Sequence, residues 1–225
     1  MKLSPWILST LIASSPLAAT AVLSLPSALA QTEADKVLPV VEKDEFNATE
    51  ALARANEALN RIQTAKGRFA EMNPNGVYSQ GNFYLSRPGR LRFEYDAPDP
   101  RLFVSDGTMI AFEDRDFESV EIIPLSTTPL SMLIGKESDL AGRANIRSIQ
   151  EKGGFVSILM SDKAGETDGT LELLFDPKDY ALKQWITNDA LGQSVIVELR
   201  DVEYGVKLKS KLFQIEDPED EDDRR

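Results

Sequence analysis

Residues 81–95 read GNFYLSRPGRLRFEY, two runs of alternating apolar and polar side chains separated by the dipeptide Pro88-Gly89. Alternation with a period of two is typical of strands that bury only one face. A Pro-Gly dipeptide between two such runs indicates a tight turn. This part of the chain therefore predicts an antiparallel hairpin with one apolar face.

The same pattern continues in both directions along the chain. Strands are predicted in a first group at 68–72, 77–86, 91–95, 102–104, 109–112 and 119–122, and in a second group at 155–160, 170–175, 182–187, 194–199 and 209–213. Asn47 and Glu50 form a capping box before an apolar stripe at helical spacing, which predicts a first helix. Thr128-Pro129 begins a short apolar helix that ends near Gly135.

These elements predict an α+β fold that is mainly β. We expect a single, strongly curved antiparallel sheet of about eleven strands, an unclosed half-barrel, with two or three helices covering its concave face as a lid. A sheet that curls without closing leaves a cavity beneath its helices.

The composition excludes several kinds of chemistry. The 225 residues contain 25 Lys+Arg and 37 Asp+Glu, a net charge of −12, and neither His nor Cys. Imidazole bases, Ser-His-Asp triads and thiolate or imidazole metal sites are therefore absent. The usual phosphate-binding and nucleophile-elbow motifs are absent as well. We predict no enzyme activity, no cofactor, no metal and, given the acidic charge, no nucleic-acid partner.

The two ends of the chain differ from its body. Residues 3–30 carry no charge and end in Ala28-Leu29-Ala30, which predicts a cleavable signal peptide over 1–30; an uncleaved membrane helix is the alternative. Residues 31–46 are predicted to be a flexible lead-in, and 47–215 a single domain. Residues 216–225 contain seven acids and two Arg, which predicts a disordered, solubilising tail, with docking or calcium binding as the alternatives.

Residues 81–95, together with Pro98 and the stretch LFVSDG at 102–107, resemble the central part of the LolA family of periplasmic outer-membrane lipoprotein carriers. The order of features also resembles that family: signal peptide, amphipathic helix, Gly67-x-Phe69, Arg-Pro-Gly-Arg, Ser-Asp-Gly, short apolar helix and Asp189-x-x-Gly192-Gln193. The resemblance runs from about residue 48 to residue 213. The chain departs from the family pattern at Glu71, where Gln is frequent, and in its apolar segment 129–135.

The resemblance implies a function and a set of partners. Such carriers accept acylated lipoproteins from an inner-membrane ABC-type releasing complex, shield the acyl chains in a hydrophobic cavity, and deliver them to an outer-membrane acceptor. It further implies a monomer that works in the periplasm. The alternatives are an RseB-like regulator that senses lipid or lipoprotein with the same half-barrel, and a scaffold with a filled core.

The resemblance also implies site residues. Residues predicted to line the acyl cavity are Phe83, Leu85, Leu91, Phe93, Tyr95, Phe103, Met109 and Phe112 on the strands and Leu130, Met132 and Leu133 in the lid. The alternative for each is ordinary core, which we also predict for Trp185. Arg87 resembles a latch that hydrogen-bonds the lid backbone. Arg90 and Arg92 are candidates for a basic surface that faces a partner, with a solvated strand edge as the alternative.

Overall fold

The structure is a computed structural model that describes residues 46–136, 138–165 and 169–215. The predicted signal peptide, the lead-in apart from Phe46, and the acidic tail lie outside the described residues.

The first helix, α1 (Ala48–Arg61), begins where the capping box predicts. The side chain of Asn47 accepts a hydrogen bond from the Glu50 backbone N–H at 3.1 Å. An N-cap of this kind stabilises a helix by about 1 kcal/mol. Ala51, Ala55 and Leu59 are buried on one face of α1, so this face packs into the core.

Eleven strands follow the helix along the chain. Their bounds are β1 (Thr64–Met72), β2 (Tyr78–Ser86), β3 (Arg90–Tyr95), β4 (Arg101–Asp106), β5 (Met109–Asp114), β6 (Ser119–Pro124), β7 (Ala144–Lys152), β8 (Phe155–Asp162), β9 (Thr170–Phe175), β10 (Leu182–Asn188) and β11 (Ser194–Tyr204). They form one antiparallel sheet in the order β6-β5-β4-β3-β2-β1-β11-β10-β9-β8-β7. Because β6 and β7 are its two edges, the sheet is unclosed, and the predicted fold class is confirmed.

The register aligns aromatic side chains on one face of the sheet, called the inner face here. Phe83 pairs with Phe93, Phe93 with Phe103, and Phe103 with Phe112 across successive strands. Cross-strand partners point to the same side of a sheet, so these four rings form a row. The buried faces of the helices join this row in a single hydrophobic core.

Two short α-helices connect β6 to β7, the edges of the two halves of the sheet. A 3₁₀ helix (Leu125–Thr127) leads into α2 (Leu130–Ile134), and α3 (Leu140–Arg143) precedes β7. Met132, Leu133 and Ile134 of α2 are buried. The short apolar helix predicted after Thr128-Pro129 is therefore confirmed.

The total of eleven strands conceals two errors in the predicted positions. Residues 209–213 are not a strand, because Ser210–Phe213 is a 3₁₀ helix that packs against β3 and β4. The strand that the sequence did not predict is β7, which has a register shift between Ile146 and Ser148. This irregularity interrupts the alternation by which a strand is recognised in a sequence.

Candidate functional site

The inner face contains a cavity of about 840 Å³, called the open cavity here. Phe93, Phe103, Phe112 and Trp185 contribute to its walls. Their rings meet edge to face, with centroids 5.8 Å apart for Phe93 and Phe103 and 4.9 Å apart for Phe103 and Phe112. Such pairs stabilise an aromatic surface beyond simple burial. The cavity therefore has a preformed apolar wall.

A second, much smaller space lies beneath α1 and α2 and is called the closed pocket here. Its volume is about 40 Å³, and Leu59 of α1 and Leu133 of α2 line it. Phe83 and Leu91 form its floor on the sheet. Trp185 lines both spaces. The two spaces are therefore neighbours that share a wall.

The predicted cavity residues divide between these spaces. Phe93, Tyr95, Phe103, Phe112 and Leu130 line the open cavity. Phe83, Leu85, Leu91 and Leu133 line the closed pocket. Their contact with acyl chains stays a prediction.

Two of the predicted residues line neither space. Met109 lies on the opposite face of β5, because Phe112 is on the inner face and residues three apart in a strand point to opposite sides. Ile110 takes the inner position instead. Met132 is buried in the core outside both spaces.

Sequence reasoning missed part of the wall. Trp185 is only 5% exposed, as expected for core, yet it faces both spaces. It pairs with Val197 of β11, which also lines the open cavity together with Val195. The alternation of Val195 and Val197 was the sequence signal that could have indicated this part of the wall.

Arg87 ties the turn between β2 and β3 to the end of α2. Its Nη2 donates to the Leu133 carbonyl oxygen at 2.6 Å, and its Nη1 donates to the Ser138 hydroxyl at 2.8 Å and to the Gly135 carbonyl at 3.4 Å. Gly89, two residues further along the same turn, donates its N–H to the Ile134 carbonyl at 2.7 Å. The contacts are those that a latch on the lid backbone requires, whereas release of the latch stays a prediction.

The environment of Arg87 opposes its charge. The side chain is 8% exposed, and its Nε has no hydrogen-bond partner among the described residues. Burial, with repulsion from Arg143 as a smaller cause, lowers the pKa of Arg87 to about 10. Burying a cation costs free energy, and the hydrogen bonds from Arg87 to the neutral oxygens offset part of that cost. Opening of this arrangement stays a prediction.

Two asparagines of α1 hold the segment that follows α2, and sequence reasoning missed them. Asn60 accepts from the Ser138 N–H at 2.7 Å and donates to the Ser138 carbonyl at 3.0 Å. Asn56 accepts from the Leu140 N–H at 3.0 Å. A pair of Asn residues at helical i, i+4 spacing beside an apolar stripe was the only signal available. The lid thus has polar ties to both the sheet and α1.

A charged network lies at the edge of the open cavity. Glu71 accepts from the Tyr95 hydroxyl at 2.7 Å and from Arg101 at 3.3 Å, and Arg101 also donates to Asp99 at 2.7 Å and to Ser79 at 2.9 Å. Hydrogen bonding to Arg101 lowers the pKa of Asp99. Burial, followed by the charge of Glu71, raises the pKa of Tyr95. Glu71, where the chain departs from the family pattern, is therefore ion-paired with Arg101.

The sequence of this domain matches a known protein family. The family described as "Outer membrane lipoprotein carrier protein LolA" matches residues 60–216. The chain belongs to the LolA family. The predicted resemblance is confirmed, and the matched range includes every strand of the sheet.

Individual proteins are also similar to this LolA family member. An outer-membrane lipoprotein carrier protein from Pseudomonas syringae pv. tomato is 28% identical over 185 residues, which cover 76% of this chain and 86% of the relative. For a LolA superfamily protein from Nitrosomonas europaea, comparison of the two structures gives a TM-score of 0.43 and 10% identity, with coverage of 76% of this chain and 99% of that chain. For MucB from Pseudomonas aeruginosa, solved in complex with MucA, the TM-score is 0.35 and the identity 17%, with coverage of 76% of this chain and 62% of that chain.

The two basic residues predicted to face a partner lie on the outer face of β3. Arg92 donates to Glu94 at 2.7 Å and to the Leu212 carbonyl at 3.2 Å. Arg90 lies over the Phe213 ring at 5.7 Å. The alternative of a solvated strand edge is wrong, because β3 lies between β2 and β4. A partner-facing role for these residues stays a prediction.

No helix within the described ranges is long and apolar enough to cross a membrane.

Proposed function

We propose that this LolA family member carries acylated lipoproteins through the periplasm. It accepts them at the inner membrane, shields their acyl chains in the open cavity, and delivers them to the outer membrane. The observation that carries the proposal is the aromatic wall of the open cavity, which lies beside a lid that polar ties hold over the closed pocket. Exposing acyl chains to water costs about 0.8 kcal/mol per methylene, so a carrier must bury them.

The short helix α2 borders both spaces, since Leu130 lines the open cavity and Leu133 lines the closed pocket. The closed pocket has a volume of about 40 Å³, against about 840 Å³ for the open cavity. Movement of α2 would join the closed pocket to it, because Trp185 lines both spaces. We infer that acyl chains displace α2 and release Arg87.

The same proposal includes the partners and the processing of the chain. An inner-membrane ABC-type releasing complex supplies the energy of extraction, so the carrier performs no catalytic step. An outer-membrane acceptor receives the cargo. The carrier is a monomer, is exported by its signal peptide with cleavage after Ala30, and consists of the domain 47–215 with a terminal segment at each end.

Release from membranes tests this function. Mature protein, residues 31–225, is incubated with inner-membrane vesicles that contain the releasing complex, ATP and a labelled lipoprotein. We expect the lipoprotein to appear in the soluble fraction bound to the carrier, and an unacylated form not to bind. Failure to solubilise lipoprotein in the presence of ATP would contradict the proposal.

Two matched variants locate the binding surface in that assay. Phe112 and Ile122 are 40% and 42% exposed on neighbouring strands, but Phe112 faces the open cavity and Ile122 faces outward. We expect Phe112→Glu to lose most of the released lipoprotein, because a carboxylate is buried beside the acyl chains. Ile122→Glu should release as much as the unmodified protein.

Depletion of the protein in cells separates a carrier from a regulator. Retention of lipoproteins at the inner membrane is the result expected of a carrier. Normal lipoprotein sorting with an altered envelope-stress response is the result expected of an RseB-like sensor, and it would overturn the proposal.

A further inference from the structure

The outer face contains a basic groove beside the C-terminal 3₁₀ helix. The groove has a volume of about 330 Å³ and lies between β3–β5 and residues 209–214. Among the residues that the structure describes, Arg92, Arg115, Lys209 and Lys211 line the groove, and Glu113 is the one acidic residue there. Four cationic side chains thus converge on one groove in a chain whose net charge is −12.

Contacts with the outer face of the sheet hold the backbone of the groove in place. Phe213 is 3% exposed and packs the 3₁₀ helix onto the outer face. Arg92 donates to the Leu212 carbonyl, and Arg90 lies over the Phe213 ring. These contacts hold the backbone that presents the lysines, so the basic surface is part of the folded domain.

Three of the cations that line the groove form no ion pair with another residue in the part of the chain that the structure describes. Arg115, Lys209 and Lys211 are exposed and form no ion pair there, whereas Arg92 is paired with Glu94. Unpaired cations close to one another repel, and a nearby anion removes this repulsion. The groove therefore favours an anionic occupant.

The sequence supplies such an occupant directly after the groove. Gln214 lines the groove, and residues 216–223 then contain seven Asp and Glu in eight positions. A residue spans at most about 3.6 Å of extended chain, so the first acids lie within about 10 Å of Gln214. Because the acidic segment is tethered beside the groove, its effective concentration there is in about the millimolar range. A separate anion of equal affinity must exceed that concentration to displace it.

We propose that the basic groove binds the acidic segment 216–223 of the same chain. The segment neutralises the groove and covers it. The surface is then closed to phosphate-bearing lipid headgroups, which the acidic body of the protein already repels. This inference concerns the outer face and stands independently of the cargo in the open cavity.

A spin label at the end of the chain tests the inference. The chain has no Cys, so Arg225→Cys in residues 31–225 takes a nitroxide at one position only. The readout is paramagnetic broadening of the backbone amides of Arg92, Leu102 and Arg115, which are distant from the tail in sequence. We expect strong broadening at about 0.01 M salt and its loss at about 1 M salt, where the Debye length falls from about 30 Å to about 3 Å.

Charge-matched variants assign the broadening to the groove. Lys209→Gln with Lys211→Gln should reduce the broadening at Arg92 and Arg115 at least twofold. Lys163→Gln with Lys178→Gln removes the same charge from exposed positions on the other half of the sheet and should leave the broadening unchanged. Equal effects of the two pairs, or no broadening at low salt, would overturn the proposal.

Vesicles of phosphatidylglycerol identify the competing occupant. We expect the full mature chain not to sediment with them, and the same chain ending at Ile215 to sediment in a manner that depends on Lys209 and Lys211. Sedimentation of the full chain through these lysines, without broadening, would show that the groove binds lipid headgroups instead, and would overturn the proposal.

Discussion

The open cavity and the closed pocket lie on the same face of one sheet, yet their volumes are about 840 and 40 Å³. Both have aromatic floors, and Phe83 of the closed pocket lies 6.1 Å from Phe93 of the open cavity. The two differ in what lies above the sheet, because Leu59 and Leu133 of the helices fill the space over the closed pocket. The helices above the sheet, rather than the sheet itself, therefore account for the difference in volume between the two spaces.

The two regions also differ in their polar contacts. Arg87 and Asn60 tie the lid to the sheet and to α1 over the closed pocket. Around the open cavity, Glu71 and Arg101 form an ion pair at the edge of the space and hold no helix. Polar groups thus hold the helices over the closed pocket, whereas they only border the open cavity.

Replacing the shared wall should have the largest effect on stability. Trp185→Ala removes a ring that packs against both spaces, and we expect it to lower the free energy of unfolding by about 3–5 kcal/mol. Phe112→Ala, at a partly exposed wall of the open cavity, should cost clearly less. Urea unfolding measures both, and equal losses would show that Trp185 is not packed between the two spaces.

Removing the latch should impair delivery without impairing binding. Arg87→Leu loses hydrogen bonds that form when the lid closes, each worth about 1.5–3 kcal/mol for a charged donor, so we expect transfer to the acceptor to fall tenfold or more. Loading should remain. Arg87→Lys, which keeps the charge but lacks the planar fork, should give an intermediate rate. Normal transfer by Arg87→Leu would contradict the latch.

The asparagine ties should affect only the lid segment that each one holds. Asn60→Ala frees the Ser138 amide and should cost about 1–3 kcal/mol, with faster hydrogen exchange at that amide. Asn56→Ala should accelerate exchange at Leu140 instead. Exchange that is unchanged in both variants would show that the lid is held by apolar packing alone.

The ion pair between Asp99 and Arg101, beside the open cavity, should have the smallest effect on stability, and this effect should depend on pH. The folded-state pKa of Asp99 is lowered, so its contribution is present above its unfolded pKa of about 3.9 and is lost as the pH falls through the folded value. Asp99→Asn should cost at most about 1 kcal/mol at neutral pH. Urea unfolding at pH 7 and pH 3 should show a smaller pH dependence in the variant, and an equal dependence would contradict this assignment.

Strand alternation predicted the sheet where the pattern is regular. β2 and β3 were predicted because apolar residues alternate on both sides of Pro88-Gly89. β7 could not be predicted in this way, since it is a polar edge strand with a register shift. The side to which β5 turns its apolar residues was equally ambiguous, because both Met109 and Ile110 are apolar and only the pairing with β4 selects Ile110.

The site was predictable in its apolar part and only partly in its polar part. The alternation of apolar residues predicted the strands that carry Phe93, Phe103 and Phe112, and the resemblance to the family implied their place in a cavity and the role of Arg87. The ties from Asn56 and Asn60 join residues 84 and 78 positions apart, a distance over which sequence periodicity carries no information.

The most direct test of the account is contact between acyl chains and the shared wall. Trp6 lies in the predicted signal peptide, so residues 31–225 contain a single tryptophan, Trp185. Bromine atoms quench tryptophan fluorescence only at close range. We predict that a lipopeptide with brominated acyl chains quenches Trp185 on binding, whereas the same lipopeptide without bromine does not. Stable binding with no difference in quenching would contradict the claim that acyl chains enter between the sheet and the lid.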